Sequence, residues 1–187
     1  MIDNIIACDK KLFLFLNNLG SENWDFIWVF ISNKMWMCFI IAPLILFYIY
    51  RQDGSKFIYT VLFILICFGI TDLIHLHCFK NIFMRLRPCW DPEIENFCRI
   101  VVDKGGMYGF VSGHAANSTA IVSFFLLQLK KKNQLLTYGL IFWLFLVCYS
   151  RIYLGKHFPL DVLFGAFLGF SIAYFVNRIF NYIKNYK

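Results

Sequence analysis

Apolar residues gather in runs close to the roughly 20 residues of helix that cross a hydrocarbon core about 30 Å thick. Five such runs are read along the chain. The first ends at Tyr50 and begins between Trp24 and Met35; the others cover about 57–79, 115–129, 135–150 and 162–180. The N-terminal segment differs, because its apolar stretch from Ile5 to Leu19 is short and is interrupted by Asp9, Lys10 and Lys11. Residues 1–23 are therefore read as an interfacial helix, with a sixth crossing as the alternative. No basic stretch leads into an apolar core and a small-residue cleavage site, so no cleavable signal peptide is expected. The long polar connection at 88–109 carries Pro88, Pro92, Gly105, Gly106 and Gly109, and it reads as a loop over one face.

Composition supports the same picture. Hydrophobic residues make up 60% of the chain and charged residues 16%, against about 45–50% and about 25% in soluble domains. A soluble monomer could not hide that much apolar surface. The expected fold is an all-α polytopic membrane bundle of five or six helices, and disorder, coiled coil, collagen and a secreted disulfide scaffold are excluded. The 187 residues leave room for one unit at roughly 150 residues per domain, so 1–187 is read as a single membrane domain.

The net charge of +7 changes the reading only through its placement. Basic residues sit at the ends of apolar runs rather than in a stripe with exposed aromatics, which argues against nucleic acid. Arg51 and Lys56 follow the first run, Lys130, Lys131 and Lys132 the third, and Arg178, Lys184 and Lys187 the fifth. Five crossings put all three clusters on one face, which the positive-inside rule makes cytoplasmic. Lys80, Arg85, Arg87 and Arg99 then lie on the opposite, exoplasmic side. Cations there need another purpose, and binding an anion supplies one.

Three segments concentrate polar chemistry at that face: Lys80 to Pro88 (KNIFMRLRP), Gly109 to His114 (GFVSGH) and Ser150 to Asp161 (SRIYLGKHFPLD). Lys80 and Arg87 are seven residues apart, two helical turns, so a continued helix aims both at one anion. Ser112, Gly113 and His114 precede an apolar run, where the free N–H groups of a helix start favour phosphate. His157 and Asp161 are four apart, which lets a carboxylate fix the imidazole tautomer.

The pattern Lys-x6-Arg-Pro, then Ser-Gly-His, then Ser-Arg-x5-His-x3-Asp resembles the type 2 phosphatidic acid phosphatase (PAP2) family, whose soluble relatives include vanadium haloperoxidases and bacterial acid phosphatases. The motifs cover 80–161. The resemblance implies that His157 attacks phosphorus to form a phosphohistidine, that Asp161 orients it, and that His114 protonates the leaving oxygen and later activates water. Lys80, Arg87, Ser112, Gly113 and Arg151 would hold the phosphate. One departure stands out: Val111 occupies a position that is commonly proline in the family, and a small geometric change is expected from it. Taken singly each residue has a plain explanation, such as a snorkelling lysine or a helix cap; jointly they would have to fall at family spacing by accident.

No cofactor is expected, because fixed cations can neutralise a phosphoryl transition state and no carboxylate cluster accompanies the motifs. Asp72, His75, His77 and Cys78 invite a metal reading, but they lack a further ligand group and are read as polar packing beside the site. Trp24, Trp28, Trp36 and Trp143 read as core, lipid contact and interfacial belt. Among the seven cysteines, Cys89 and Cys98 share the outer loop, and a disulfide between them is weighed against two free thiols.

A catalytic centre at the membrane edge suits a lipid-borne phosphate. The small members of the family are similar to bacterial undecaprenyl-diphosphate phosphatases, which implies that substrate and an inner-membrane location with the site facing the periplasm. Lipid A, phosphatidylglycerophosphate and phosphatidic acid phosphatases carry the same motifs. A transporter is the non-enzyme alternative, but it would more often show repeats or broken helices at matching positions.

Overall fold

The computed structural model describes residues 1–33, 35, 37–131 and 133–186. Trp36, Lys132 and Lys187 of the sequence reading lie outside the described residues. Seven longer helices follow in order: α1 (Ile2–Asn18), α2 (Asp25–Ser32), α3 (Ala42–Asp53), α4 (Phe57–Ile74), α5 (Gly113–Gln128), α6 (Gln134–Tyr153) and α7 (Pro159–Asn185). A π-helical turn, Met37–Ile41, leads into α3, and a second, His75–Lys80, carries α4 on to a last short turn, Asn81–Phe83.

Three helical stretches among the described residues are long and apolar enough to cross a membrane: Phe39–Phe83, Gln134–Tyr153 and Pro159–Asn185. The first holds 45 residues, about 67 Å at a helical rise of about 1.5 Å per residue, more than twice a bilayer core. It is broken at Gly54, whose φ of +57° suits glycine alone. Ile45 and Ile49 of α3 share one apolar cluster with Phe57 and Ile64 of α4, so the chain folds back there. The first run starts at about residue 37, because α2 is a separate short helix.

The expected third span falls on helix α5, which runs from Ser112 at one end of the bundle to the Lys130–Asp53 contact at the other. It has 16 residues, just under the usual range for a crossing, and most of its side chains are buried by protein. Its residues enter all three apolar clusters: Val122 and Phe125 pack with α3 and α6, Phe124 with α4 and α7, and Ala115 with Phe13, Ile152 and Phe158. The apolar run thus marks the central helix of a bundle. Small residues allow close approach, since a Cβ on Gly165 would lie 2.6 Å from the Ser112 carbonyl and one on Gly169 would strike that of Ala116. The outward faces of α3, α4, α6 and α7 expose Phe47, Leu65, Phe142, Phe167 and Phe175, which suits hydrocarbon.

The two ends of the bundle differ. At one end the Gly54 turn meets the α5–α6 turn through Lys130 and Asp53 (2.8 Å), and Lys56, Lys130 and Lys184 line a common cleft. All three basic clusters are represented there. At the other end residues 84–112 fold over the helix termini and are tied to α1. Lys10 pairs with Asp91 (2.7 Å) and Glu93 (2.8 Å). The fully buried Asn17 donates to the carbonyls of Arg99, Ile152 and Tyr153 and accepts the Arg99 N–H (2.7 Å). Helix α1 therefore packs into the site end of the protein through polar groups, beyond what an interfacial helix requires.

Candidate active site

Each sequence-derived residue sits at a helix end or in the outer loop that covers it. Pro159 starts α7 without needing an N–H partner, and Asp161 in the first turn accepts the Phe158 N–H through Oδ2 (3.0 Å). That turn holds the Asp161 carboxylate 3.7 Å from Nδ1 of His157, and the Gly109 backbone also bears on the imidazole. Hydrogen bonds of this kind often tighten only when substrate binds. Nε2 is left for the opposite side. His157 is almost fully buried, and burial first, then the charges of Arg151, Arg87 and Lys80, push its imidazole well below the ordinary value. It is therefore neutral at neutral pH.

Ser112 caps α5, its Oγ accepting the Ala115 N–H (3.5 Å), while its own N–H is committed to the Asp161 carbonyl (2.9 Å). These bonds fix the Ser-Gly-His segment against the start of α7. Gly113 is needed sterically, since a Cβ would come within 2.5 Å of the His75 ring. The Phe110–Val111 peptide is cis, at the departure from the family pattern. Arg87 flanks an isolated antiparallel bridge between Leu86 and Tyr108, in which its N–H meets the Met107 carbonyl (2.8 Å) and the Gly109 N–H meets the Arg85 carbonyl (2.8 Å). Its guanidinium donates to the carbonyls of Tyr108 (3.1 Å) and Lys104 (3.4 Å). Arg151, at the end of α6, is buried; one guanidinium nitrogen reaches the Ser32 hydroxyl of α2, and Nε has no partner. Lys80 ends the π-turn after α4.

Arg151, Arg87 and Lys80 thus converge electrostatically on one neutral histidine. Arg87 is held by carbonyls and Arg151 by a hydroxyl, rather than by carboxylates, which keeps their charge available for an anion.

Three further residues belong to this region. Arg85 donates to Asp161 Oδ1 (2.7 Å) and to Asp9 Oδ2 (2.6 Å). Lys156 is buried beside the same turn as Arg87: a Cβ on Gly105 would lie 3.0 Å from Arg87 Nη1 and 3.7 Å from Lys156 Nζ. Burial lowers the Lys156 ammonium, and Arg87 and Arg151 push the same way. His75 faces Asp72 at 3.6 Å, and Asp72 accepts from Asn117 (2.9 Å), which makes this pair polar packing behind Gly113.

Of the two readings of Cys89 and Cys98, the structure has the two free thiols. The turn at Glu95–Phe97 directs Cys98 Sγ back to the Ile94 carbonyl (3.1 Å), while Cys89 Sγ faces the Lys104 carbonyl (3.7 Å). Among the described residues, no group of three or more His, Cys, Asp or Glu side chains is placed to hold a metal.

The sequence signature of the PAP2 superfamily matches residues 56–185, the stretch that carries every motif above. The chain belongs to the PAP2 superfamily. A lipid A 4'-phosphatase of Porphyromonas gingivalis is 30% identical over 98% of this chain and 78% of its own length. An undecaprenyl-diphosphatase of Sulfolobus acidocaldarius is 28% identical over 91% of this chain and 70% of its own. The crystal structure of a PAP2-type phosphatidylglycerolphosphate phosphatase from Bacillus subtilis has the same fold, with a TM-score of 0.74, 21% identity, and coverage of 98% of this chain and 90% of that one. This PAP2 protein is an integral membrane phosphoric ester hydrolase.

Proposed function

We propose that the protein hydrolyses a lipid-borne phosphate without a metal, through a phosphohistidine on His157. The observation that carries this reading is a buried, neutral imidazole under the field of Arg151, Arg87 and Lys80, with Nδ1 turned to Asp161. Nε2 attacks phosphorus, and the bond to the leaving oxygen breaks. Asp161 stabilises the positive charge that the ring acquires. His114 gives its proton to the leaving oxygen, then takes one from the water that attacks the phosphohistidine and releases inorganic phosphate. Arg87 and Arg151 offer planar donor forks for the equatorial oxygens, with Lys80, Ser112 and the Gly113 N–H completing the cradle.

An apolar cleft of about 810 Å³ between α1, α6 and α7 supports a lipid substrate: Leu12, Leu144, Phe145 and Leu163 line it, and Pro159 to Val162 place it beside the chemistry. The similarity to a lipid A 4'-phosphatase along 98% of the chain makes a lipid A phosphate the first candidate. Undecaprenyl diphosphate is the second, favoured by the Sulfolobus relative. Purified protein is expected to release phosphate from at least one of lipid A, undecaprenyl diphosphate, phosphatidylglycerophosphate and phosphatidic acid, at a rate unchanged by EDTA. Release that stops with EDTA and returns with Mg²⁺ would overturn the metal-independent reading, and no release from any of the four would overturn the lipid phosphatase.

The basic end of the bundle lies opposite the site, so the site is read as facing the periplasm of a bacterial inner membrane. Single cysteines at Glu95 and Lys131 should label from opposite sides in intact cells, Glu95 from outside. Labelling from one side would sink this orientation.

A further inference from the structure

In the sequence Asp9 interrupts an apolar segment. It is 3% exposed, and both its oxygens are used. Oδ1 accepts the Leu160 N–H (3.0 Å) in the first turn of α7, and Oδ2 accepts Arg85 (2.6 Å). The other arm of Arg85 holds Asp161 (2.7 Å), and its guanidinium lies 4.3 Å from the centre of the Phe158 ring. Phe158 in turn packs edge-on against Phe13 of α1, with centroids 5.4 Å apart. Two carboxylates from opposite ends of the chain thus share one guanidinium directly behind His157.

Geometry says what each member does. Asp161 uses Oδ2 for the Phe158 N–H and for the approach to His157, and Arg85 takes Oδ1, so rotation of the carboxylate would break bonds on both sides. Charge says why a second carboxylate is present. Arg85 and Asp161 alone sum to zero, which would leave nothing to balance the positive charge that His157 gains on attack. Asp9 makes the cluster negative by one. Burial and the neighbouring Asp161 charge raise the Asp9 carboxyl above its ordinary value, against the pull of Arg85 and the Leu160 N–H, whose two bonds favour the ionised form.

We propose that Asp9 and Arg85 are positioning residues for the phosphatase: Arg85 locks Asp161 toward His157, and Asp9 restores the negative charge that Arg85 would otherwise cancel. Helix α1 is then part of the active site. This rests on the reading of His157 as the nucleophile. Arg151 from α6, Arg87 and Lys80 from the segment after α4, Asp161 from α7 and the neighbouring Lys156 also bear on His157, and Asp9→Asn replaces none of them.

The test is the pH profile of phosphate release from short-chain phosphatidic acid in detergent micelles, or from whichever lipid of the panel is turned over fastest. Asp9→Asn keeps the shape and removes the charge. It should lower kcat by on the order of 10- to 100-fold, the effect of losing one nearby charge in a partly desolvated site. KM should change little, because the phosphate cradle is untouched. The acid limb should move to lower pH, since a protonated imidazole loses a stabilising neighbour, and Asp9→Glu should recover part of both effects. A purely structural role would lower activity equally at every pH. Turnover lost in His157→Ala but kept in Asp9→Asn, with an unmoved limb, overturns the positioning role and leaves the nucleophile standing. Turnover kept in His157→Ala overturns both.

Discussion

His157→Ala is expected to abolish turnover, a loss of about 10⁴-fold or more, as removing a covalent nucleophile does. Rapid quench with a ³²P-labelled lipid phosphate should trap an acid-labile phosphoenzyme in the wild-type protein and none in the variant. Binding should survive, because Lys80, Arg87 and Arg151 are positioned by the α4 extension, the outer-loop carbonyls and α6, not by the imidazole. The pH profile carries a second signature. The nucleophile must be unprotonated, and burial with three nearby cations holds His157 well below its ordinary value. The acid limb of kcat/KM should therefore lie below the roughly 6.5 of a free histidine. A limb above that value would mean that the group is not held neutral by this field. Label retained in His157→Ala would assign the phosphoenzyme to another residue.

Sequence alone reached much of this site because its chemistry sits at helix ends, where short-range spacing decides what meets. Asp161 lies in the first turn of the helix that His157 precedes, so their separation of four fixed their encounter. The Ser112 cap fixed the start of α5 in the same way. Spans were legible where one face meets lipid, as in α6 and α7, since about 20 apolar residues are needed there. The run at 115–129 does not show by itself that its helix is central, because a helix enclosed by protein is as apolar as one enclosed by lipid. Composition does not separate the two cases; the small residues Gly165 and Gly169, which bring α7 onto α5, do.

The partners of the charges in the N-terminal helix are hidden from the sequence for a related reason. Charges within an apolar segment suggested a surface position, yet Asp9 and Lys10 point to different partners, one in the ion cluster and one on the outer loop. No local pattern connects Asp9 to Arg85, 76 residues away, or Arg85 to Asp161, a further 76. A signal was available in principle: an ionisable residue inside an apolar helix implies a buried partner of opposite charge. Arg85, a cation on the face where the positive-inside rule does not want one, was the unclaimed candidate. The cysteine pair stays open in the sequence, because nearness in a loop leaves the direction of each sulfur undetermined.

His114→Ala should slow cleavage by roughly 10²–10⁴-fold, the usual contribution of a positioned proton donor. His114 is the second residue of α5, directly after the glycine that packs on His75, so the helix start sets its place relative to the Ser112 cap. The variant keeps the nucleophile, and its defect should depend on the leaving group. A lipid alkoxide needs a proton as the bond breaks, whereas p-nitrophenolate does not. With p-nitrophenyl phosphate the first step should approach the wild-type rate and phosphoenzyme should accumulate, because water attack on the phosphohistidine still lacks its base. The basic limb of the lipid pH profile, set by loss of the acid proton, should vanish. Equal losses with both substrates would remove His114 from the leaving-group role. A phosphoenzyme trapped in His157→Ala and absent from His114→Ala would exchange the two histidines.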